Sequence, residues 1–86
     1  MKDIIFEKLQ TNFQPEILEV IDNSHLHRGH QGIANHKDNS THFLVKIKAR
    51  QFNQLSQLTI HRKINQLLTE EFKNGIHALE IKVLKD

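Results

Sequence analysis

The chain has 86 residues and a mass of 10.1 kDa, which is enough for one domain with one hydrophobic core. Hydrophobic residues make up 37% of the sequence and charged residues 26%, a balance typical of a globular protein. The absence of cysteine excludes disulfide bonds, thiolate metal sites and cysteine nucleophiles within this chain. The net charge of +2 is too small for an electrostatic nucleic-acid clamp by itself, and no apolar run is long enough to span a membrane. We therefore expect one domain over residues 1–86, located in the cytoplasm.

The first half of the chain predicts a helix, a strand and a long loop. Apolar residues recur at helical spacing over Lys2–Asn12, with Asp3 as the expected N-cap and Pro15 as the stop signal. The apolar, β-branched segment Ile17–Asp22 predicts a strand that is mostly buried. Residues 23–40 have no periodicity and are rich in Gly, Asn, Asp, Ser and His. Loops of this length in a small domain are usually functional or disordered.

A main helix is predicted in the second half of the chain. Apolar residues form one stripe over Leu55–Lys73, and residues 74–75 (Asn-Gly) predict a left-handed end to the helix. Asn53 and Ser56 are both candidates for its N-cap, and a short separate turn can precede it.

Two further strands flank this helix. Apolar and polar residues alternate over Thr41–Lys48, which predicts a half-exposed strand, and again over Ile76–Leu84. The element order is then αββ(α)αβ. We expect an α+β fold in which helices pack on one face of a three-stranded sheet, since this arrangement buries every apolar stripe.

Histidine is the unusual feature of the composition, with seven in 86 residues. Its imidazole titrates near neutral pH, moves protons and is a borderline ligand that suits zinc, copper, iron and nickel. Two of the seven, His61 and His77, stand apart. The other five fall between positions 25 and 42: His25, His27, His30, His36 and His42.

The histidine-rich loop has more than one interpretation. In an extended segment His25 and His27 project to the same side, as the beginning of a metal site requires. A stable site usually needs three or four ligands, however, and a flexible loop offers no fixed geometry. The loop is then either a solvated surface that happens to be rich in histidine or a metal-binding segment, such as a buffer for nickel or zinc.

His77 is more informative because of its neighbours. It shares its alternation with Leu79, Ile81 and Val83, the set predicted to face the core, so we expect its ring to be partly covered at the rim of the core. It is either a ligand or a packed histidine with one nitrogen hydrogen-bonded to a backbone carbonyl.

Other candidate chemistry is sparse. His61, Arg62 and Lys63 on the main helix either contact phosphate groups or form an ordinary solvated face, and Glu70 and Glu71 interrupt a uniformly positive surface. No serine or aspartate stands in a recognisable triad context, and the carboxylates of the first strand lack an acid/base partner. We expect no enzymatic activity.

Four motifs, in the right order, resemble those of the BolA family. The stretch Leu18–His27 resembles the first strand and loop of that family, and Ser40–Phe43 resembles the entry to its second strand. Ile60–Arg62 is similar to its R-H-R helix motif, and Gly75–Leu79 is similar to its V-H-A-L strand. The resemblance covers Phe6–Val83, nearly the whole chain. It departs from the family pattern at two positions.

Those departures are one in the helix motif and one shortly after Phe52. Ile60 stands where the family usually has arginine, and Gln54 stands where it often has glycine. The first change removes a positive charge from the helix that would meet DNA.

The resemblance implies a KH-like fold and a partner. BolA-like proteins associate with monothiol glutaredoxins, and the pair can share a 2Fe–2S cluster to which the glutaredoxin and its glutathione give thiolates. The BolA-like partner gives the histidine of the V-H-A-L strand, here His77, and a residue from the loop after the first strand. The alignment places that loop ligand on His27, with His25 and His30 as substitutes.

This implication agrees with the chemistry of the chain. A protein without cysteine does not hold an iron–sulfur cluster alone, but two imidazoles can replace two thiolates on one iron, as in Rieske centres. Each histidine must be neutral to bind, so ligation depends on pH.

The resemblance also implies a rival function. Some bacterial BolA-like proteins are described as DNA-binding regulators of cell shape and stress response, and His61, Arg62 and Lys63 would then contact the nucleic acid. Our prediction is a non-catalytic adaptor of a monothiol glutaredoxin in iron–sulfur cluster trafficking, maturation or iron sensing. No membrane contact is expected, and a homodimer is compatible with the sequence.

Overall fold

The computed structural model describes residues 1–24 and 42–85 of the chain. The helices and strands follow in this order: α1 (Lys2–Phe13), β1 (Ile17–Asp22), β2 (His42–Lys48), one turn of 3₁₀ helix (Arg50–Phe52), α2 (Gln57–Leu67), α3 (Thr69–Asn74) and β3 (Ala78–Val83). This order confirms the predicted α+β class and the short turn before the main helix. Of the predicted loop, only Asn23 and Ser24 lie among the described residues.

The three strands form one mixed sheet in the order β1-β2-β3. β1 pairs with β2 in antiparallel fashion, with Val20 opposite Val45. β3 pairs with β2 in parallel, with Val45 opposite Ile81. Two parallel strands need a crossover connection, and here the 3₁₀ turn, α2 and α3 provide it.

One face of this sheet carries the core. The strand β2 alternates as predicted, with Phe43, Val45 and Ile47 buried on one face. These side chains belong to one apolar cluster with residues from α1 and α2: Ile5, Leu9, Ile60 and Ile64. The helices α1 and α2 therefore cover the same face of the sheet, as the sequence predicts.

Helix ends agree with the sequence only in part. The helix α1 begins after Met1 and makes no side-chain cap, so the prediction of Asp3 as N-cap is wrong. It ends as predicted before Pro15, with Gln14 in the left-handed region at φ 45°. The cap of α2 is Ser56, whose Oγ accepts a hydrogen bond from the Thr59 N–H.

The main helix is divided, contrary to the single helix that the sequence predicts. α2 ends at Leu67 and α3 begins at Thr69, with Leu68 at φ −98° and ψ 19° between them. The hydroxyl of Thr69 donates to the Gln66 carbonyl at 2.7 Å, a local bond that competes with the helical backbone pattern. Leu68 nevertheless remains fully buried.

The first strand is less buried than predicted. Only Val20 is buried in β1, and the side chain of Ile17 is 46% exposed. The reason is that β1 is an edge strand and one of its faces lies on the open side of the sheet. In the described part of the chain, no helix is long and apolar enough to cross a membrane.

Candidate functional site

Three segments of the chain meet at one end of the sheet. β1 finishes there at Asp22, opposite Phe43 near the start of β2. Because β3 runs parallel to β2, it starts at the same end, where Ala78 lies opposite His42. The residue before β3, His77, therefore lies close to the start of β2 and the finish of β1.

Ser24 links the last residue of β1 to the first residue of β2 by hydrogen bonds. It is 3% exposed, and its Oγ accepts a hydrogen bond from the His42 N–H at 3.1 Å. Its own N–H donates to Asp22 Oδ1 at 2.9 Å, and the Asn23 N–H donates to the His42 carbonyl at 2.8 Å. Ser24 and His42, the residues that flank segment 25–41, are thereby held next to each other. The predicted loop ligand His27 and its substitutes His25 and His30 lie in that segment, outside the described residues.

A buried anchor holds the backbone before His77. Gly75 ends α3 at φ 152°, a conformation that L side chains rarely adopt. The next residue, Ile76, is 4% exposed and donates its N–H to the Glu71 carbonyl at 3.1 Å. The backbone is therefore fixed on the core one residue before His77.

The ring of His77 itself is open to solvent, so the prediction of a partly covered ring is wrong. β3 begins only at Ala78, and the alternation of the strand therefore does not extend to position 77. His77 makes no hydrogen bond with the described residues, which differs from a packed histidine bonded to a carbonyl. An exposed imidazole is available to bind a metal or a partner.

His42 is the site residue that sequence reasoning missed. Its ring lies beside that of His77, with centroids 6.3 Å apart and ring planes at 75°. His42 was counted in the histidine cluster without a role. The signal that would have found it is the parallel pairing of β2, which begins at His42, with β3, which begins directly after His77. Neither strand's own sequence reveals that pairing.

The pair does not form a complete metal centre from the described residues alone. Within residues 1–24 and 42–85, no group of three or more His, Cys, Asp or Glu side chains stands together. A four-coordinate ion needs further ligands, from solvent, from elsewhere in the chain or from a partner.

The predicted nucleic-acid contacts lie elsewhere, on α2. Arg62 and Lys63 are exposed and line a shallow groove of about 530 Å³ with Thr59, Asn65, Gln66 and Thr69. His61 is half-buried, and its Nε2 is covered and has no hydrogen-bond partner among the residues that the structure describes. Ile60 is fully buried in the core. Of the motif Ile60–Arg62, only Arg62 is therefore fully presented to a ligand at the surface.

The sheet, the crossover helices and the histidine directly before β3 define a small α+β domain whose sheet end carries paired imidazoles. The sequence model described as BolA-like protein matches residues 9–86 of the chain. The chain belongs to the BolA family. The resemblance drawn from its four motifs is confirmed.

Individual relatives extend this result. The chain is 41% identical over 75 residues to "Protein BOLA1, chloroplastic" of Arabidopsis thaliana, covering 87% of this chain and 47% of that protein. It is 38% identical over 81 residues to "DNA-binding transcriptional regulator BolA" of Vibrio cholerae, covering 94% and 71%. The chain thus spans about half the length of the plant relative.

A solved structure supports the fold. The "BolA domain of SufE1 from Arabidopsis thaliana" matches 95% of this chain with a TM-score of 0.80 and 36% sequence identity, and 87% of that structure is covered. This agreement confirms the α+β fold of a small domain.

Proposed function

We propose that this chain is a non-catalytic adaptor that pairs with a monothiol glutaredoxin and shares a 2Fe–2S cluster with it. Its role would be in iron–sulfur cluster trafficking, maturation or iron sensing. The observation that carries this proposal is the exposure of His77 at the sheet end where Ser24 and His42, the residues that flank segment 25–41, are hydrogen-bonded to each other. A ligand for a cluster that a partner brings must be open to that partner.

The donor atoms of the chain fit half of such a site. With no cysteine in the sequence, the thiolates come from the glutaredoxin and glutathione. This chain supplies imidazole nitrogens, from His77 and from His27, with His25 and His30 as substitutes for the latter. Two imidazoles on one iron raise the reduction potential relative to thiolates. When bound, the cluster supplies electron transfer and a transferable iron–sulfur unit.

The relatives add support from outside the site. A BolA domain occurs in the Arabidopsis protein named SufE1, and the association with a SufE-type protein favours an iron–sulfur role. The fixed backbone at Ile76 adds a physical argument. It presents His77 from a rigid element, so little conformational entropy is lost when a partner-borne cluster binds.

The test mixes the chain with a cluster-loaded monothiol glutaredoxin and glutathione. We expect a one-to-one complex and altered visible absorption and circular dichroism of the cluster. His77→Ala and His27→Ala should each weaken both signals. His77→Ala is not expected to unfold the chain because the ring is exposed. His61→Gln is the control, since the Nε2 of His61 is covered and lies on α2.

Two other results would change the conclusion. Loss of signal on substitution of His25 or His30, with none for His27, would move the loop ligand and leave the rest intact. Unchanged spectra and no complex with the native chain would refute the shared cluster.

A second candidate function is DNA binding through α2. It is favoured by the exposure of Arg62 and Lys63 beside the groove and by the printed name of the Vibrio cholerae relative.

Phosphate contacts make affinity fall steeply with salt, and each lost contact lowers the slope by about one. The double variant Arg62→Ala/Lys63→Ala should lower both the affinity and the salt slope. Lys73→Ala, an exposed lysine of α3 outside the groove, should change neither. Equal effects of the two variants would exclude α2 as the specific contact.

A further inference from the structure

We propose that His42 and His77 together bind one first-row divalent cation, such as Zn²⁺, in this chain without any partner protein. The proposal goes beyond the shared cluster, because it requires neither glutaredoxin nor glutathione and gives a role to His42. The juxtaposition that carries it is the pair of rings at the common start of β2 and β3.

The spacing of the rings suits a shared ion. A zinc–nitrogen bond of about 2.0–2.1 Å places the metal roughly 3.2 Å from the centroid of the bound ring. Two rings on one metal then have centroids roughly 5.2 Å apart at a tetrahedral angle and roughly 6.4 Å apart at a linear one. The observed separation is 6.3 Å, within this range. Because the ring of His77 is exposed, it can turn toward the tetrahedral spacing without displacing the core.

The backbone of the pair is already fixed. The His42 N–H donates to Ser24 Oγ and its carbonyl accepts from the Asn23 N–H, so both of its backbone polar groups are held. His77 follows the buried Ile76, and the strand pairing sets Ala78 opposite His42. The ion therefore has to order only side chains, which lowers the entropic cost of binding.

The donor atoms of the pair select the class of metal ion. Imidazole nitrogens suit zinc, nickel and copper better than magnesium or calcium, which prefer oxygen. On the same face of the sheet, Glu80 lies two residues after Ala78, and its carboxylate favours a nearby positive ion. Two protein ligands leave the remaining positions of the ion to water or to other groups.

The test uses the full chain alone, titrated with Zn²⁺ in a calorimeter. The native chain is compared with His42→Gln and His77→Gln, and with a loop variant in which His25, His27, His30 and His36 are all changed to Asn. We expect the loop variant to retain one zinc equivalent. Each of the two single substitutions, made in the loop variant, should lower the affinity about tenfold or more because half of the protein ligands are lost.

A second measurement locates the ion. In long-range proton–nitrogen spectra of the histidine rings, zinc should shift the ring nitrogens of His42 and His77 together. His61 is the internal control, since its covered Nε2 should stay unshifted. Circular dichroism in the far ultraviolet confirms that the variants are folded.

The outcomes separate the proposals. Loss of all zinc binding in the loop variant would overturn the pair as a site, as would an effect of only one of the two single substitutions. Since no glutaredoxin is present, neither result bears on the shared cluster. A failure to form a complex with glutaredoxin, in turn, would leave zinc binding by the pair untouched.

Discussion

Glu71 is the only charged residue that is buried among those the structure describes, at 6% exposure. Its Oε1 accepts a hydrogen bond from Lys8 Nζ at 2.8 Å, which links α3 to α1. A buried carboxylate that loses its partner retains its desolvation penalty, so breaking such a pair from one side is more damaging than replacing both partners.

Lys8→Met should therefore lower the free energy of unfolding by about 1–3 kcal/mol, with the lower part of that range favoured by the partial exposure of Lys8. The double variant Lys8→Met/Glu71→Met should recover much of the loss. Urea unfolding measures both. Lys2→Met, an exposed lysine of the same helix, is the matched control. A loss for Lys8→Met no greater than that for Lys2→Met would contradict this account.

Gly75 sets the direction of the chain into His77. A Cβ added there would lie 3.7 Å from Met1 Cε, an ordinary contact, so steric overlap is not the obstacle. The obstacle is φ at +152°, which L side chains rarely adopt. Gly75→Ala should lower the free energy of unfolding by about 1–2 kcal/mol, and Asn74→Ala at the neighbouring exposed position should cost less. Equal denaturation midpoints for the two variants would refute the argument from backbone strain.

Residue-level reasoning from the sequence proposed His77 as a ligand but did not predict its surroundings. The choice of His77 rested on a motif resemblance, while its expected cover came from extending the alternation of β3 by one residue. The structure ends that alternation at Ala78 and leaves the ring exposed. His42 was missed for a different reason: its proximity to His77 depends on parallel pairing of β2 with β3, which no local pattern encodes.

At the scale of elements, the Ser56 cap controls the start of the crossover. Its Oγ accepts from the Thr59 N–H at 3.1 Å, which satisfies one of the free donors of the first turn of α2. Ser56→Ala should lower the free energy of unfolding by about 1 kcal/mol, measured by thermal or urea unfolding. Ser56→Asp should preserve stability, because its carboxylate can accept the same bond and lies at the positive end of the helix dipole. If Ser56→Ala were as stable as the native chain and Ser56→Asp were less stable, the Ser56 cap would not be what stabilises the start of α2.

Elements were predictable where one periodicity persisted, and less so at their ends. The stripe of Ile60, Ile64 and Leu68 is buried as the spacing predicts. The division of the helix at Leu68 has no glycine or proline signal in the sequence. It accompanies a side-chain bond from Thr69 to the Gln66 carbonyl, a local competition that periodicity does not reveal.

At the scale of the whole molecule, the fold class could be predicted because each apolar stripe needs a partner face. The alternating strand β2 and the periodic helix α2 left one economical arrangement, helices on one side of a sheet. The site was harder to predict because it lies where three chain segments converge: the end of β1, the start of β2 and the turn before β3. Such convergence is a property of topology rather than of any segment.

Because these segments converge, His77 is the proposed ligand of both the shared cluster and the zinc ion. If His77 serves both the shared cluster and the zinc-binding pair, one ion excludes the other, because a single imidazole nitrogen binds one metal at a time. Zinc should therefore lower the fraction of the cluster-bridged complex with glutaredoxin, measured by visible circular dichroism at fixed protein concentration. By mass action the inhibition should grow with zinc once its concentration exceeds the dissociation constant of the pair.

The decisive comparison is His42→Gln with the same glutaredoxin and the same zinc series. This variant retains His77 for the cluster but lacks half of the zinc-binding pair, so it should form the complex and resist zinc. Zinc that binds to glutathione or to glutaredoxin thiols would inhibit the native chain and His42→Gln equally, which would refute competition at His77. Resistance confined to His42→Gln would mean that the second imidazole lets zinc control access to the first.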